Sequence, residues 1–160
     1  MRWIGLENFH ITMKFLGRVS GEQVEPIEAA MSKVASQATV FSIALGGLGA
    51  FPSIRSPGLI WLGLGTSPEL RRLKQDPEWA LSECGFESKA RTFHPHITHA
   101  RAKEMGSAGK FRGLDKPLVE LDVSGKLKVD GINLIRSQLS KNGARYSVFS
   151  GAKLASASVG

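Results

Sequence analysis

Cysteine is nearly absent from this chain, with Cys84 standing alone among 160 residues. That excludes an internal disulfide and a zinc site built from cysteines. Long apolar runs are missing too, since none approaches the roughly 20 residues of a membrane-spanning helix. The opening Met1-Arg2-Trp3-Ile4-Gly5-Leu6-Glu7 lacks the basic start and apolar stretch of a secretory leader. A cytoplasmic protein is therefore the expectation. Acidic residues are outnumbered, 14 against 21 Lys and Arg, and the imbalance is local. Residues 1–80 carry 8 basic against 7 acidic groups, whereas residues 81–160 carry 13 against 7. A basic second half suits a polyanion such as RNA, DNA or a nucleotide phosphate, and equally suits a solvated lysine-rich surface. The remaining composition, 42% apolar and 22% charged, is that of a globular domain able to bury a core.

Histidine is scarce as well, and its placement carries the strongest signal. Of four histidines and five threonines, two histidines have a threonine two places later, His10-Ile11-Thr12 and His96-Ile97-Thr98. Chance would arrange this on the order of one time in a hundred. Each copy sits among apolar and β-branched residues and reads as a strand, where side chains two apart share a face. His10 and Thr12 should point one way, and likewise His96 and Thr98. For either threonine alone, ordinary strand propensity is a sufficient explanation.

Around these copies the chain alternates strands and helices. Trp3 to Leu16 reads as extended. Ser20 with Gln23 resembles a capping box, and Val24, Ile27, Met31 and Val34 recur at helical spacing to about Ala38. Pro26 belongs in the first turn of that helix. Val40 to Leu45 reads as a strand, Gly46-Gly47-Leu48-Gly49 as a glycine-rich turn, Phe51 to Pro57 as a loop, and Leu59 to Leu64 as a buried strand. Ser67-Pro68 starts a second helix with Leu70, Leu73, Trp79 and Leu81 on its apolar face. Asp76-Pro77 should kink or divide it, and Gly85 should stop it. A basic segment from Arg101 to Lys116 follows the strand of His96. Leu118 to Val123, Leu127 to Leu139 and Tyr146 to Phe149 read as strands, the last two joined by the hairpin signal Lys141-Asn142-Gly143. Residues 155–160, small and polar, should be frayed.

Two imidazoles facing one another supply a general base and a general acid, because an unperturbed histidine titrates near 6.5, so about neutral pH both forms are at hand. The threonine hydroxyls and nearby backbone N–H groups can hold the non-bridging oxygens of a phosphate. With one histidine activating water and the other protonating a leaving ribose oxygen, a strained phosphodiester opens without a metal. Residue chemistry leaves open which histidine does which. His94, at the parity of His96, leaves a second reading, in which His94, His96 and His10 ligate zinc. His99 has the opposite parity and reads as a core or surface histidine. Arg101 and Lys14 read as turned away and at the rim, and Tyr146 and Arg136 as packing and solvent-facing.

The sequence resembles the RNA 2′,3′-cyclic phosphodiesterases of the 2H phosphoesterase superfamily, historically called 2′-5′ RNA ligases. That superfamily is named for paired His-x-Thr-x motifs, here His10-Ile11-Thr12-Met13 and His96-Ile97-Thr98-His99. Leu48-Gly49-Ala50-Phe51-Pro52 with Leu59-Ile60-Trp61-Leu62 is similar to its central hairpin, and Leu134 to Leu139 with Gly143-Ala144-Arg145-Tyr146 to its closing one. The resemblance implies an α+β, bilobal fold with two antiparallel sheets flanking a central cleft and helices outside, in one domain spanning 1–160. It implies hydrolysis of an RNA or nucleoside 2′,3′-cyclic phosphate to the 2′-phosphate, with 2′-5′ ligation as a related activity. It makes His10 the proton donor and His96 the proton acceptor, with Thr12 and Thr98 on the substrate phosphate and neither metal nor cofactor. RNA ends bearing the cyclic phosphate are the expected partner, and a monomer is favoured. The family usually carries a strand and helix before the first motif, whereas Trp3-Ile4-Gly5-Leu6-Glu7-Asn8 opens almost directly on it here, so that unit is expected to be lacking. The alternative is a non-catalytic module that binds RNA ends.

Overall fold

A computed structural model describes residues 2–3, 10–52, 57–88, 93–101, 125–141 and 143–156. Two helices and two antiparallel sheets make the fold α+β, as the sequence predicts. In chain order the elements are β1 (Arg2–Trp3), α1 (Gly21–Ser36), β2 (Phe41–Pro52), β3 (Pro57–Leu64), α2 (Pro68–Ser82), β4 (His96–Arg101), β5 (Lys126–Val129), β6 (Gly131–Ser140) and β7 (Gly143–Lys153). The larger sheet runs β1-β4-β3-β2-β5 and the smaller is the hairpin β6-β7. The chain divides into two compact units, one of residues 1–12, 44–65 and 94–127, the other of residues 13–43, 66–93 and 128–160.

In the first unit the register of the sheet sorts side chains onto two faces. Leu48 lies opposite Leu62, and Leu62 opposite Ile97, so these three share one face. Ile97 is buried there, and so are Ile60 and Ala100 beyond a register shift. Gly49 opposite Trp61 and Trp61 opposite Thr98 fall on the other face, with Gly63 opposite His96. Here the structure corrects the glycine-rich turn expected at Gly46-Gly47-Leu48-Gly49. That segment lies inside β2, which continues to Pro52 with an irregularity between Leu45 and Leu48. The glycines are used for space. A Cβ on Gly49 would overlap the indole of Trp61, and one on Gly63 would stand 3.3 Å from it. The indole therefore lies along a trough that two missing side chains leave open.

The second unit is built on its helices. Ser20 caps α1, its N–H donating to the Gln23 side chain at 2.9 Å, which is the capping box expected. Ile27, Met31, Val34 and Ala35 are the buried stripe of α1, each worth up to about 1.5–3 kcal/mol for the larger side chains. The helix begins at Gly21, so Pro26 lies past the first turn, where it removes the bond to the Glu22 carbonyl. Ser67 caps α2 by accepting from the Leu70 N–H at 3.1 Å, with Pro68 at the first helical position. Leu70, Leu73, Pro77 and Leu81 form its buried face, and α2 runs undivided through Pro77. Packing on both sides of the proline outweighs the one hydrogen bond it forfeits. Trp79 falls off that face and is 63% exposed, contrary to its expected place in the core. Gly85 ends the turn at φ +94°.

Two other expectations are corrected. Leu127 to Leu139 is two strands, β5 in the larger sheet and β6 in the hairpin, broken at Asp130, whose carbonyl accepts from the Leu154 N–H at 2.9 Å. Ala155 is held rather than frayed. Its N–H donates to Ala38 and its carbonyl accepts from Val40, both at 2.9 Å. The hairpin at Lys141 to Gly143 forms as expected, with Ser140 opposite Gly143. The strand expected at Leu118 to Val123, residues 102–116 of the basic segment and residues 157–160 lie outside the described residues.

Candidate active site

The two His-x-Thr copies meet in the first unit. Ile11 and Ile97 form an antiparallel bridge. At such a bridge the neighbours pair in reverse order, so His10 comes beside Thr98 and Thr12 beside His96. Ile97 is buried, which turns the odd positions inward and leaves His10, Thr12, His96 and Thr98 on the opposite face. The four side chains make a square with the histidines on one diagonal, their backbones about 7–8 Å apart. His10, Thr12 and Thr98 are half-buried and His96 is exposed.

His96 has a defined tautomer. Its Nδ1 lies 2.7 Å from the backbone oxygen of His94. A carbonyl can only accept, so Nδ1 carries a proton, and whenever the ring is neutral its lone pair is at Nε2. The acceptor is held on both sides. As the residue before Pro95, His94 is confined to extended backbone, and the Pro95 carbonyl accepts from the Leu64 N–H at 3.2 Å. Trp61 stands edge-on to the imidazole, with ring centroids 6.3 Å apart and planes at 61°. Sequence reasoning missed this neighbour. The available signal was the alternation of Gly47 and Gly49 on one strand with Trp61 and Gly63 on the next.

Other candidates fall elsewhere. His94 is exposed and contributes its carbonyl to His96. The side chains of His99 and Arg101 lie outside the described set, and the register shift beyond Trp61 interrupts the simple alternation used to turn Arg101 from His96. Among the described residues no three His, Cys, Asp or Glu side chains gather where they could hold a metal ion. Arg136 is exposed and Tyr146 half-buried, both in the second unit.

Lys14 is not at a rim. Its Nζ is buried against Glu78 Oε2 at 2.5 Å and donates to the Glu87 carbonyl at 2.8 Å. Lys74 reaches Glu78 Oε1 at 3.0 Å and donates to the Met13 carbonyl. Burial pushes the Glu78 carboxyl up, but hydrogen bonds and charge from Lys14 and Lys74 prevail and hold it below the usual carboxylate range. These contacts fasten the chain just after the first motif.

A chain with this square has known relatives. The LigT like Phosphoesterase family matches residues 1–61. An RNA 2′,3′-cyclic phosphodiesterase of Aeropyrum pernix is 35% identical over 159 residues, covering 98% of this chain and 88% of that protein. The chain belongs to the LigT-like phosphoesterase family. Another RNA 2′,3′-cyclic phosphodiesterase, from Methanocaldococcus jannaschii, is 31% identical over 89% of this chain and 78% of its own length. Among solved LigT-like structures, that of Escherichia coli LigT complexed with 3′-AMP superposes with a TM-score of 0.69 at 25% identity, covering 96% of this chain and 80% of that one.

Proposed function

We propose that this chain is a single bilobal domain, residues 1–160, that hydrolyses an RNA or nucleoside 2′,3′-cyclic phosphate to the 2′-phosphate. The observation that carries the reading is the Ile11–Ile97 bridge, which pairs the two His-x-Thr copies side by side. The names of the relatives point to the same substrate class.

His96 is the proton acceptor. Its Nε2 lone pair takes a proton from water while the water oxygen attacks phosphorus in line with the ribose O3′. The P–O3′ bond breaks, and His10, the proton donor, gives its proton to O3′ as the bond opens. One water is consumed, and exchange with solvent returns both rings to their starting states. Thr12 and Thr98 hold the non-bridging oxygens, on which charge accumulates in the transition state. Ring strain in the cyclic ester lowers the barrier to P–O cleavage. If a 5′-hydroxyl replaces water, the same displacement yields a 2′-5′ diester, which accounts for ligation as a related activity. The substrate is the cyclic-phosphate end of an RNA, met by a monomer in the cytoplasm. No helix among the described residues is long and apolar enough to cross a membrane.

The test is turnover of a nucleoside 2′,3′-cyclic phosphate with chelator present, followed by phosphorus NMR. The expected result is loss of the cyclic phosphate signal and growth of the 2′-phosphomonoester. A 3′-phosphate product, or no conversion by folded protein, contradicts the proposal.

A further inference from the structure

Lys74 makes more contacts than charge balance requires. One ammonium suffices to balance the buried Glu78 carboxylate, and Lys14 supplies it at 2.5 Å. Lys74 brings a second ammonium to the other carboxylate oxygen at 3.0 Å. Its side chain is largely withdrawn from water, which costs free energy that the Lys14–Glu78 pair does not demand. Two further partners account for its place. Nζ donates to the Met13 carbonyl, and it stands over the Phe93 ring, 5.6 Å from the centroid, within the range of a cation–π attraction. An ammonium carries three N–H donors, enough to serve a carboxylate, a carbonyl and a ring face together.

The carbonyl and the ring occupy equivalent places in the chain. The chain leaves the first unit between Thr12 and Met13 and re-enters it between Phe93 and His94. Met13 is thus the first residue after His10-Ile11-Thr12, and Phe93 opens the short lead into His96-Ile97-Thr98. That lead is stiff. His94 precedes a proline and is held extended, and its carbonyl faces Nδ1 of His96 at 2.7 Å. The base from which Lys74 reaches is firm as well, since α2 is capped by Ser67 and seated on Leu70, Leu73, Pro77 and Leu81. One ammonium on a fixed helix therefore touches a segment adjoining each motif.

We propose that Lys74 is a positioning residue for the hydrolysis, fixing with one ammonium the chain segments that adjoin both His-x-Thr copies. The inference rests on the hydrolase reading above and adds a residue outside the motifs on which the rate depends. Two proton transfers and an in-line displacement require both rings to be aligned at once. A misplacement of about 1 Å can cost on the order of a hundredfold in rate. Lys74 touches no reacting atom, so the loss should fall on kcat and leave KM nearly unchanged.

The experiment measures kcat and KM for a nucleoside 2′,3′-cyclic phosphate in Lys74→Met, at a temperature where circular dichroism shows the variant fully folded. Methionine keeps the helix propensity and the unbranched stem, and Lys14 remains to pair with Glu78. Expected is a kcat lower by about ten- to hundredfold, with KM within about twofold of native. Lys74→Arg, which restores a cation and its donors, should regain most of that loss. Phe93→Leu, which keeps an apolar side chain and removes the ring face, should lower kcat by a smaller factor, and adding it to Lys74→Met should cost little more. A native kcat in Lys74→Met or Phe93→Leu, a loss carried by KM, or Lys74→Arg no better than Lys74→Met overturns the inference while the hydrolase reading stands. Failure of the native chain to open the ester overturns both.

Discussion

His96-Ile97-Thr98 lies inside β4 with β3 hydrogen-bonded along one edge, whereas His10-Ile11-Thr12 meets the sheet through the bridge at Ile11. The second copy is held sideways, by register. Its histidine is further fixed by the His94 carbonyl and stands against Trp61. The first copy is followed at once by a fastened exit, with the Met13 carbonyl accepting from Lys74 and Lys14 buried on Glu78. One tripeptide thus serves in two kinds of support. In the proposed mechanism the chemistry belongs to the motif, while its placement is supported locally and differently for each copy.

Removing the rings should break that comparison most severely. His10→Ala and His96→Ala should each lower kcat by roughly 10²–10⁴-fold, the usual worth of a positioned acid or base. The double variant should be little worse than either single one, because the two act in one step. Additive losses measured by steady-state kinetics would mean that the rings work separately.

Loosening the fastened exit of the first copy comes next in size. Glu78→Ala leaves Lys14 buried without its carboxylate and should cost about 3 kcal/mol in chemical denaturation. The pH dependence has a definite sign. Because the folded-state pKa of Glu78 is depressed, its contribution is present above the ordinary carboxylate pKa and is lost as pH falls through the folded value. Native and Glu78→Ala proteins should therefore converge in stability toward strongly acid pH. A constant difference across that range would assign the cost to packing instead.

Smaller effects come from the hydroxyls. Thr12→Val and Thr98→Val keep the shape of the side chain and remove a donor, so each should reduce kcat/KM by about tenfold, near 1.4 kcal/mol. Similar losses for the two would show that the square treats its corners alike despite their unequal support.

What could be read from the sequence followed the range of the interactions. The Ser20 and Ser67 caps and the Lys141 to Gly143 hairpin are each written within a few residues, and each appears in its expected place, whereas of the two His-x-Thr copies expected as strands only the second lies in one and the first forms a single bridge at Ile11. The trough under Trp61 depends on which residue of β2 lies opposite which residue of β3, so Gly46 to Gly49 read as a turn. Lys14 and Glu78 are 64 positions apart, and strand parity could not place an ammonium that its partner draws inward. Pro77 read as a helix breaker because the packing of Leu70, Leu73 and Leu81 around it is tertiary. Asp130 separates two sheets, and sheet membership is invisible in one stretch of strand-like alternation.

The most direct test of the two-histidine account is the pH–rate profile of the residual activity in each alanine variant. A base must be unprotonated and an acid protonated, so the native profile should be bell-shaped. His96→Ala should lose the rise on the acid side and keep the fall on the alkaline side, while His10→Ala should do the reverse. Exchanged limbs would reverse the assigned roles, and two variants that both keep the full bell would contradict the account altogether.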